Sequence, residues 1–128
     1  MSKRKVRCIE KNLDFGEYTL ILILFNKHNE PIDILQKKYG IEIVDGSTDG
    51  AIGFSAIDEH FAILSLRHDF EIADLVHELM HLTHMMLSRY SIQLTQETEE
   101  TYAMQIDSLF RVVINLLKEN RVKIPKIL

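Results

Sequence analysis

Hydrophobic and polar residues follow different patterns in the two halves of the chain. In the first half, short apolar or alternating runs are separated by turn residues, which is typical of strands. These runs predict strands at residues 6–15, 18–25, 41–44, 51–57 and 61–66, with a short helix over 31–40. In the second half, apolar residues recur at helical spacing and predict helices over 70–88 and 96–118. Strands followed by two helices indicate an α+β fold, with the helices on one face of a small, mostly antiparallel sheet.

The helix over residues 70–88 contains neither glycine nor proline, and apolar residues occur on nearly all its sides. Asp69 directly precedes it and suits an N-cap, because its carboxylate can accept hydrogen bonds from N–H groups of the first turn. A helix that is apolar all round is usually buried. We therefore expect this helix to be central and buried, with the longer helix over 96–118 packed antiparallel against it.

His77, Glu78 and His81 form the pattern His-Glu-x-x-His inside this helix. Residues four apart lie above one another on the same helix face, so both imidazoles can reach a single zinc ion at about 2.0 to 2.1 Å. Glu78 follows His77 around the helix, where its carboxylate can contact a metal-bound water molecule. The pattern predicts a zinc site with His77 and His81 as ligands and Glu78 as general base. The ordinary alternative is a pair of buried core histidines.

Catalytic zinc usually has three protein ligands and one open position, so the pair of histidines needs a third partner. Glu100 is favoured, because an antiparallel helix pair would bring it nearly level with His81. Ala103, one turn further along, is small enough to let the two helices approach closely. The alternatives are Glu97, Glu99 and His84. A site without a third protein ligand is also left open, since an acidic first turn can simply complement the helix dipole.

Two further polar residues lie near this predicted site in the sequence. His84, seven residues after His77, returns to the same helix face and is expected to line the cleft or face solvent. The sequence is compatible with two roles for Asp107. It can orient a ligand histidine through a hydrogen bond, or it can pair with Arg111 one turn later.

The composition narrows the class of protein. At 128 residues the chain is expected to be one domain, 1–128, and its net charge of −4 argues against binding the phosphates of a nucleic acid. Cys8 is the single cysteine, so no internal disulfide is expected and a small core filler is favoured. The longest apolar run, residues 19–25, is too short to span a bilayer, and no secretory signal is visible. A cytoplasmic protein without membrane or nucleic-acid partners is expected.

The chain resembles the minimal zincin-like metallopeptidases common among phage proteins, and more distantly the ImmA/IrrE-type peptidases. The similar segments are residues 49–53, 75–81 and 100–107, within about 45–112. The resemblance implies a gluzincin arrangement, in which His77, His81 and Glu100 bind zinc and Glu78 acts on the water. It also implies that the strand over 61–66 is the edge along which a peptide lies, and a phage protein would work in the cytoplasm of a bacterial host. One departure is that Tyr102 precedes Ala103, whereas the family pattern has alanine before tyrosine.

The function expected from these residues is zinc-dependent hydrolysis of peptide bonds, with a peptide or protein as substrate. Glu78 would take a proton from the zinc-activated water and return it to the leaving amine. The candidates for a second electrophile are His60, His84, Tyr90 and Tyr102. One alternative is a non-catalytic zinc-binding protein of zincin fold that serves as a structural or interaction module. Another is a small interaction domain without metal, and the oligomeric state is left open.

Overall fold

A computed structural model describes residues 4–14, 16–43 and 52–126 of the chain. This part contains four strands and three helices. In chain order they are β1 (Arg7–Asn12), β2 (Thr19–Phe25), α1 (Asn29–Tyr39), β3 (Gly53–Ile57), β4 (Phe61–Arg67), α2 (Ile72–Ser88) and α3 (Glu99–Glu119). The predicted α+β class is confirmed, and the predicted elements recur at these places except for the strand over 41–44.

The four strands form one mixed sheet in the order β1-β2-β4-β3. The pairs β1–β2 and β3–β4 are antiparallel, whereas β2 and β4 run parallel. The expectation that the strand over 61–66 lies at an edge is therefore wrong. β4 pairs with both β2 and β3, and residues on both of its faces, such as Ile63 and Leu64, are fully buried, which is typical of an inner strand. The outer strands of the described sheet are β1 and β3.

Helices cover both faces of the sheet. Alternate residues of β2 and β4, among them Leu22 and Leu64, pack with α2 and α3 in one apolar core. The residues between them, including Ile23 and Ile63, pack with Leu35 of α1 in a second core. The expected packing on one face holds for α2 and α3, whereas the shorter α1 covers the opposite face.

The end of α1 explains why the predicted strand over 41–44 is not seen in residues 41–43. Gly40 adopts a left-handed conformation with φ of 68°, and its N–H group donates to carbonyls of the last turn of α1. The N–H of Ile41 donates to the carbonyl of Leu35 at 2.9 Å, so it serves as a helix cap. Residue 44, the loop predicted over 45–50 and residue 51 lie outside the described residues.

The start of α2 differs from the prediction by a few residues. Glu71, not Asp69, is the N-cap residue, and its N–H donates to the carboxylate of Asp74 at 2.8 Å. Asp69 instead pairs with Arg67, with 2.6 Å between Nε and Oδ1. That ion pair lowers the pKa of Asp69 below its ordinary value.

The expectation that α2 is buried on all sides is also wrong. One face packs on the sheet through residues such as Leu75, Leu79 and Leu82, which are fully buried. The opposite face forms part of the protein surface, where Val76 is 44% exposed and Met80 is 36% exposed. An outer helix needs only one apolar face, and the remaining apolar residues of α2 lie at the surface.

Helices α2 and α3 run antiparallel. α3 begins beside the end of α2, where the rings of His84 and Tyr102 lie 6.2 Å apart. Beyond the other end of α3, Lys123 lines a shallow surface pocket together with Phe70, which precedes α2. None of the helices in the described ranges is long and apolar enough to cross a membrane.

The end of α2 is attached to the loop that joins β3 and β4. The Arg89 guanidinium donates to the Tyr18 hydroxyl and to the carbonyl of Asp58, both at 3.0 Å, and to the carbonyl of Glu59 at 3.1 Å. The bond to the Tyr18 hydroxyl and, to a lesser degree, the charges of Asp58 and Glu59 raise the pKa of Arg89 above its ordinary value, so the side chain stays charged. The position of α2 alongside β3 is thereby fixed at this end.

Candidate metal centre

The two histidines of the motif converge on each other. His77 and His81 lie on successive turns of α2, and their Nε2 atoms are 3.2 Å apart. Two nitrogens that each lie ~2.05 Å from one tetrahedral zinc ion would be about 3.3 Å apart. The pair therefore has the separation that two ligands of a single zinc ion require, and the residues present fit the metal as two of its ligands.

Burial argues against the ordinary reading of these histidines as core residues. Both side chains are exposed, although they lie on a helix whose opposite face is fully buried. Their rings meet edge to face, with centroids 4.7 Å apart and an angle of 74° between the planes. Packing of the core does not require either ring, so the alternative of two buried core histidines is excluded.

The Glu78 side chain is turned toward β3. Its Oε1 atom accepts a hydrogen bond from the Ser55 hydroxyl at 3.0 Å, across the gap between α2 and β3. A pocket of about 320 Å³ opens at this gap. It is lined by Gly53, Phe54, Ser55, His77, Glu78, His81, His84 and Met85. The structure thus brings together His77, Glu78 and His81, which the motif predicted, with one outer strand of the sheet.

Gly53 allows β3 to lie close to its neighbour at this point. A Cβ atom there would be 2.4 Å from the carbonyl oxygen of Ser65 and 2.9 Å from a methyl group of Leu66. A second pocket of about 450 Å³ shares Gly53, His77 and Glu78 with the first, and is otherwise lined by residues 52, 73 and 74. The two pockets therefore form one shallow cleft, with the motif at its middle.

The structure does not bring Glu100 to the two histidines. Within residues 4–14, 16–43 and 52–126, no group of three or more His, Cys, Asp or Glu side chains could hold a metal ion. Glu100 lies in the first turn of α3 and is exposed, as are the alternatives Glu97 and Glu99. The third ligand stays a prediction.

The helix register explains this separation. α3 begins at Glu99, three residues later than expected, so that Tyr102 lies beside His84. His81 lies three residues from His84 toward the start of α2, and Glu100 lies two residues from Tyr102 toward the start of α3. Because the helices are antiparallel, these two directions are opposite, and His81 and Glu100 are about 7.5 Å apart along the axis. The premise that Ala103 permits close helix contact is also wrong, because Ala103 is exposed.

Of the four residues considered as a second electrophile, His84 lines the pocket and the other three do not. Tyr102 is buried, and its hydroxyl donates to the carbonyl of Ile92 at 2.9 Å. His60 lies in the turn between β3 and β4, where its Nε2 is 3.9 Å from the Glu59 carboxylate. Tyr90 is 52% exposed beyond the end of α2. The predicted position of His84 on the cleft wall is confirmed.

Asp107 forms an ion pair with Arg111, which was one of the two interpretations of this residue. Its carboxylate lies 3.1 Å from Nε of Arg111, one turn later on α3, and both side chains are largely exposed. An exposed pair of this kind stabilises a helix only slightly. The structure gives Asp107 this partner and no contact with a histidine of the motif.

The sequence interpretation gave no role in the cleft to Gly53, which it named only in the segment 49–53, or to Ser55. Both lie on β3, which has the sequence Gly-Phe-Ser-Ala-Ile, and both belong to the face that is turned toward α2. A signal was present, because a glycine and a serine alternate with apolar residues at period two. That pattern indicates a strand face that is not simply packed with apolar side chains.

Comparison of the chain with protein-family models, with curated protein sequences and with solved structures finds no match. The resemblance to zincin-like metallopeptidases therefore depends on the sequence segments 49–53, 75–81 and 100–107 alone.

Proposed function

We propose that this chain is a zinc-dependent metallopeptidase with a zincin-like fold, in which His77 and His81 bind the metal and Glu78 is the general base. One observation carries the proposal. The Nε2 atoms of the two histidines are 3.2 Å apart and line the same open pocket as the Glu78 carboxylate. A structural pair of histidines would not need an acid beside it in a cleft.

The side chains of the cleft have separate tasks in this proposal. When bound, zinc would supply the Lewis-acid activation of water that lowers the barrier to amide hydrolysis. Oε2 of Glu78 accepts no hydrogen bond from the described residues, so it is free to take the proton of the attacking water. The water oxygen adds to the peptide carbonyl carbon, the C–N bond breaks, and Glu78 returns the proton to the leaving amine. His84 is the proposed donor to the substrate oxygen.

The proposed substrate is a peptide in extended conformation, bound along β3. This strand is an outer one of the described sheet, and three of its residues line the pocket with the motif. An extended segment can add to such an edge through main-chain hydrogen bonds, with little dependence on its side chains. This assigns to β3 the role that the sequence interpretation gave to residues 61–66.

Glu100 is the proposed third ligand, on the strength of the resemblance. Its carboxylate would have to approach the histidines, because α3 begins too late to place it beside them. Glu100→Ala is therefore compared with Glu97→Ala, which removes an exposed acid of the same cluster. We expect only the first change to weaken zinc binding, measured by competition with a chelating dye. Equal affinities in the two variants would remove Glu100 from the site.

The proposal is tested by zinc content and hydrolysis together. The purified chain is expected to hold about one equivalent of zinc and to cleave fluorescently labelled casein. Glu78→Gln should retain the zinc and lose at least ~100-fold in activity, because it removes the base and leaves the ligands in place. Far less than one equivalent of zinc in the wild-type protein, after reconstitution, would refute the proposal. So would equal activity in Glu78→Gln.

A second candidate function is a non-catalytic zinc clamp, and the position of His84 favours it. His84 lines the same pocket as His77 and His81, although its ring would have to approach them to close the coordination shell. A clamp of this kind would bind zinc without cleaving casein, and removal of the metal would lower its thermal stability. His84→Ala separates the two, because it should destabilise a clamp but only slow an enzyme.

A further inference from the structure

One hydrogen bond joins the side chains of β3 to the motif on α2. The Ser55 hydroxyl donates to Oε1 of Glu78 at 3.0 Å, in a partly buried position. The neighbours of Ser55 on this strand face are Gly53, which has no side chain, and Ile57, which packs into the apolar core. Ser55 is therefore the one polar side chain of the described strand that faces α2.

Glu78 needs such a partner if its carboxylate is to stay in one place. A glutamate side chain rotates about three bonds, and on a partly exposed helix face it samples several rotamers. A general base must be held close to the proton that it removes, and an error of 1 Å can cost ~100-fold in rate. The hydrogen bond to Oε1 restricts these rotations while Oε2 stays free.

A purely structural role explains the bond less well. β3 and α2 are already joined by the apolar core, to which Ile57 and the buried leucines of α2 belong. The end of α2 is also attached to the loop after β3 through Arg89. One more partly exposed hydrogen bond would add only ~1 kcal/mol to stability. Its effect on the orientation of Glu78 is the larger consequence.

We propose that Ser55 is a positioning residue, which holds the Glu78 carboxylate so that one oxygen is turned into the cleft beside His77 and His81. This inference rests on the proposed function, because it gives Ser55 a role in the same site. It adds a residue that lies outside the His-Glu-x-x-His motif. The chemistry concerned is the orientation of a base, not metal binding.

The first experiment compares three variants for hydrolysis of labelled casein. Ser55→Ala is expected to lower kcat about tenfold with KM within about twofold, because Glu78 then spends less time in the productive rotamer. Ser55→Thr should restore most of the activity, since it returns a hydroxyl that a strand tolerates. The matched control is Ser65→Ala, because the buried Ser65 hydroxyl on β4 has no hydrogen-bond partner among the described residues. Zinc content should be equal in all variants.

The second experiment needs no hydrolysis and therefore separates this inference from the proposed function. Three-bond NMR couplings about χ1 of Glu78 are measured in the metal-free protein. We expect values of a single rotamer in the wild type and in Ser55→Thr, and averaged values in Ser55→Ala. Unchanged couplings in Ser55→Ala would overturn the role of Ser55, whether or not the protein cleaves casein. Lack of cleavage with the expected couplings would overturn only the proposed function.

Discussion

The two outer strands of the described sheet, β1 and β3, have the same place in the topology but opposite surroundings. On β1, the Arg7 guanidinium donates to the carbonyl of Asn120 at 2.6 Å, and the Glu10 carboxylate accepts a hydrogen bond from the Tyr39 hydroxyl at 2.8 Å. Burial, followed by the bonds to Cys8 and Glu10, raises the pKa of Tyr39 above its ordinary value. Side chains of β1 therefore stabilise the ends of α1 and α3.

Along its cleft face, β3 has one side-chain bond of this kind among the described residues, from the Ser55 hydroxyl to Glu78. It presents Gly53 and Ser55 to a cleft that also contains His77 and Glu78. An edge strand is either covered or left for another chain to pair with. We therefore expect side chains of β1 to affect stability without affecting the proposed site, whereas residues of β3 and of the facing helix should affect the proposed site.

The largest expected effect is on zinc binding at the proposed site beside β3. His81→Ala should lower zinc affinity about 100-fold or more, because it removes one of two converging ligands from an exposed site. The unfolding midpoint of the metal-free protein should hardly change. His60→Ala is the control, since this exposed histidine lies in the turn outside the pocket. Equal zinc affinities in the two variants, measured by dye competition, would contradict the proposed zinc site at His77 and His81.

Gly53→Ala should have the largest effect on stability. The added Cβ would lie 2.4 Å from a backbone carbonyl oxygen of β4, so β3 must shift, at a cost of about 2 to 4 kcal/mol. The comparison is Gly40→Ala, whose Cβ meets nothing within 4 Å but whose φ of 68° is strained. We expect this variant to lose only about 1 kcal/mol in urea unfolding. A Gly53→Ala protein as stable as wild type would show that β3 is not held closely against β4.

On β1, Arg7→Ala should reduce stability without changing zinc affinity. It removes the bonds from the guanidinium to the carbonyl and side chain of Asn120, worth about 1 to 2 kcal/mol together. Arg111→Ala is the matched control, because it breaks an exposed ion pair worth less than about 0.5 kcal/mol. Equal urea midpoints for the two variants would show that the attachment at β1 is not stabilising.

The smallest expected effect concerns the ion pair that follows β4. Arg67 lowers the pKa of Asp69, so the pair stabilises the fold above the ordinary aspartate pKa of about 3.9. That contribution should be lost as the pH falls through the lower pKa of the folded state. Asp69→Asn should therefore cost less than about 0.5 kcal/mol at pH 7, since Asp69 is largely exposed, and the cost should shrink as the pH falls. A cost that does not change with pH in urea unfolding would assign the effect to something other than charge.

The sequence predicted the parts of this fold that depend on local patterns. Apolar residues on both faces indicated a central strand at β2, and a spacing of four placed His77 and His81 on one helix face. The same reasoning applied to residues 61–66 would have indicated an inner strand. The edge position was implied by the resemblance, whereas the apolar pattern of residues 61–66 indicates the inner position that the structure shows.

The parts that failed depend on how the elements pack. The position expected for Glu100 assumed that α3 begins at residue 96, and a later start moves that side chain along the helix axis. The contact of Ser55 with Glu78 joins residues 23 positions apart on different elements. Periodicity indicates which face of β3 meets a helix, but it does not indicate which residue of that helix lies opposite.

The hydrogen bonds of Arg89 have a consequence for the way in which the cleft can open. They hold the last residues of α2 to the loop after β3, whereas Gly53 lies at the other end of the strand. We therefore expect strand and helix to separate more easily near Gly53 than near Arg89, so that a bulky ligand would enter from the side of Gly53. Amide hydrogens near Gly53 should therefore exchange with solvent sooner than those near Ile57.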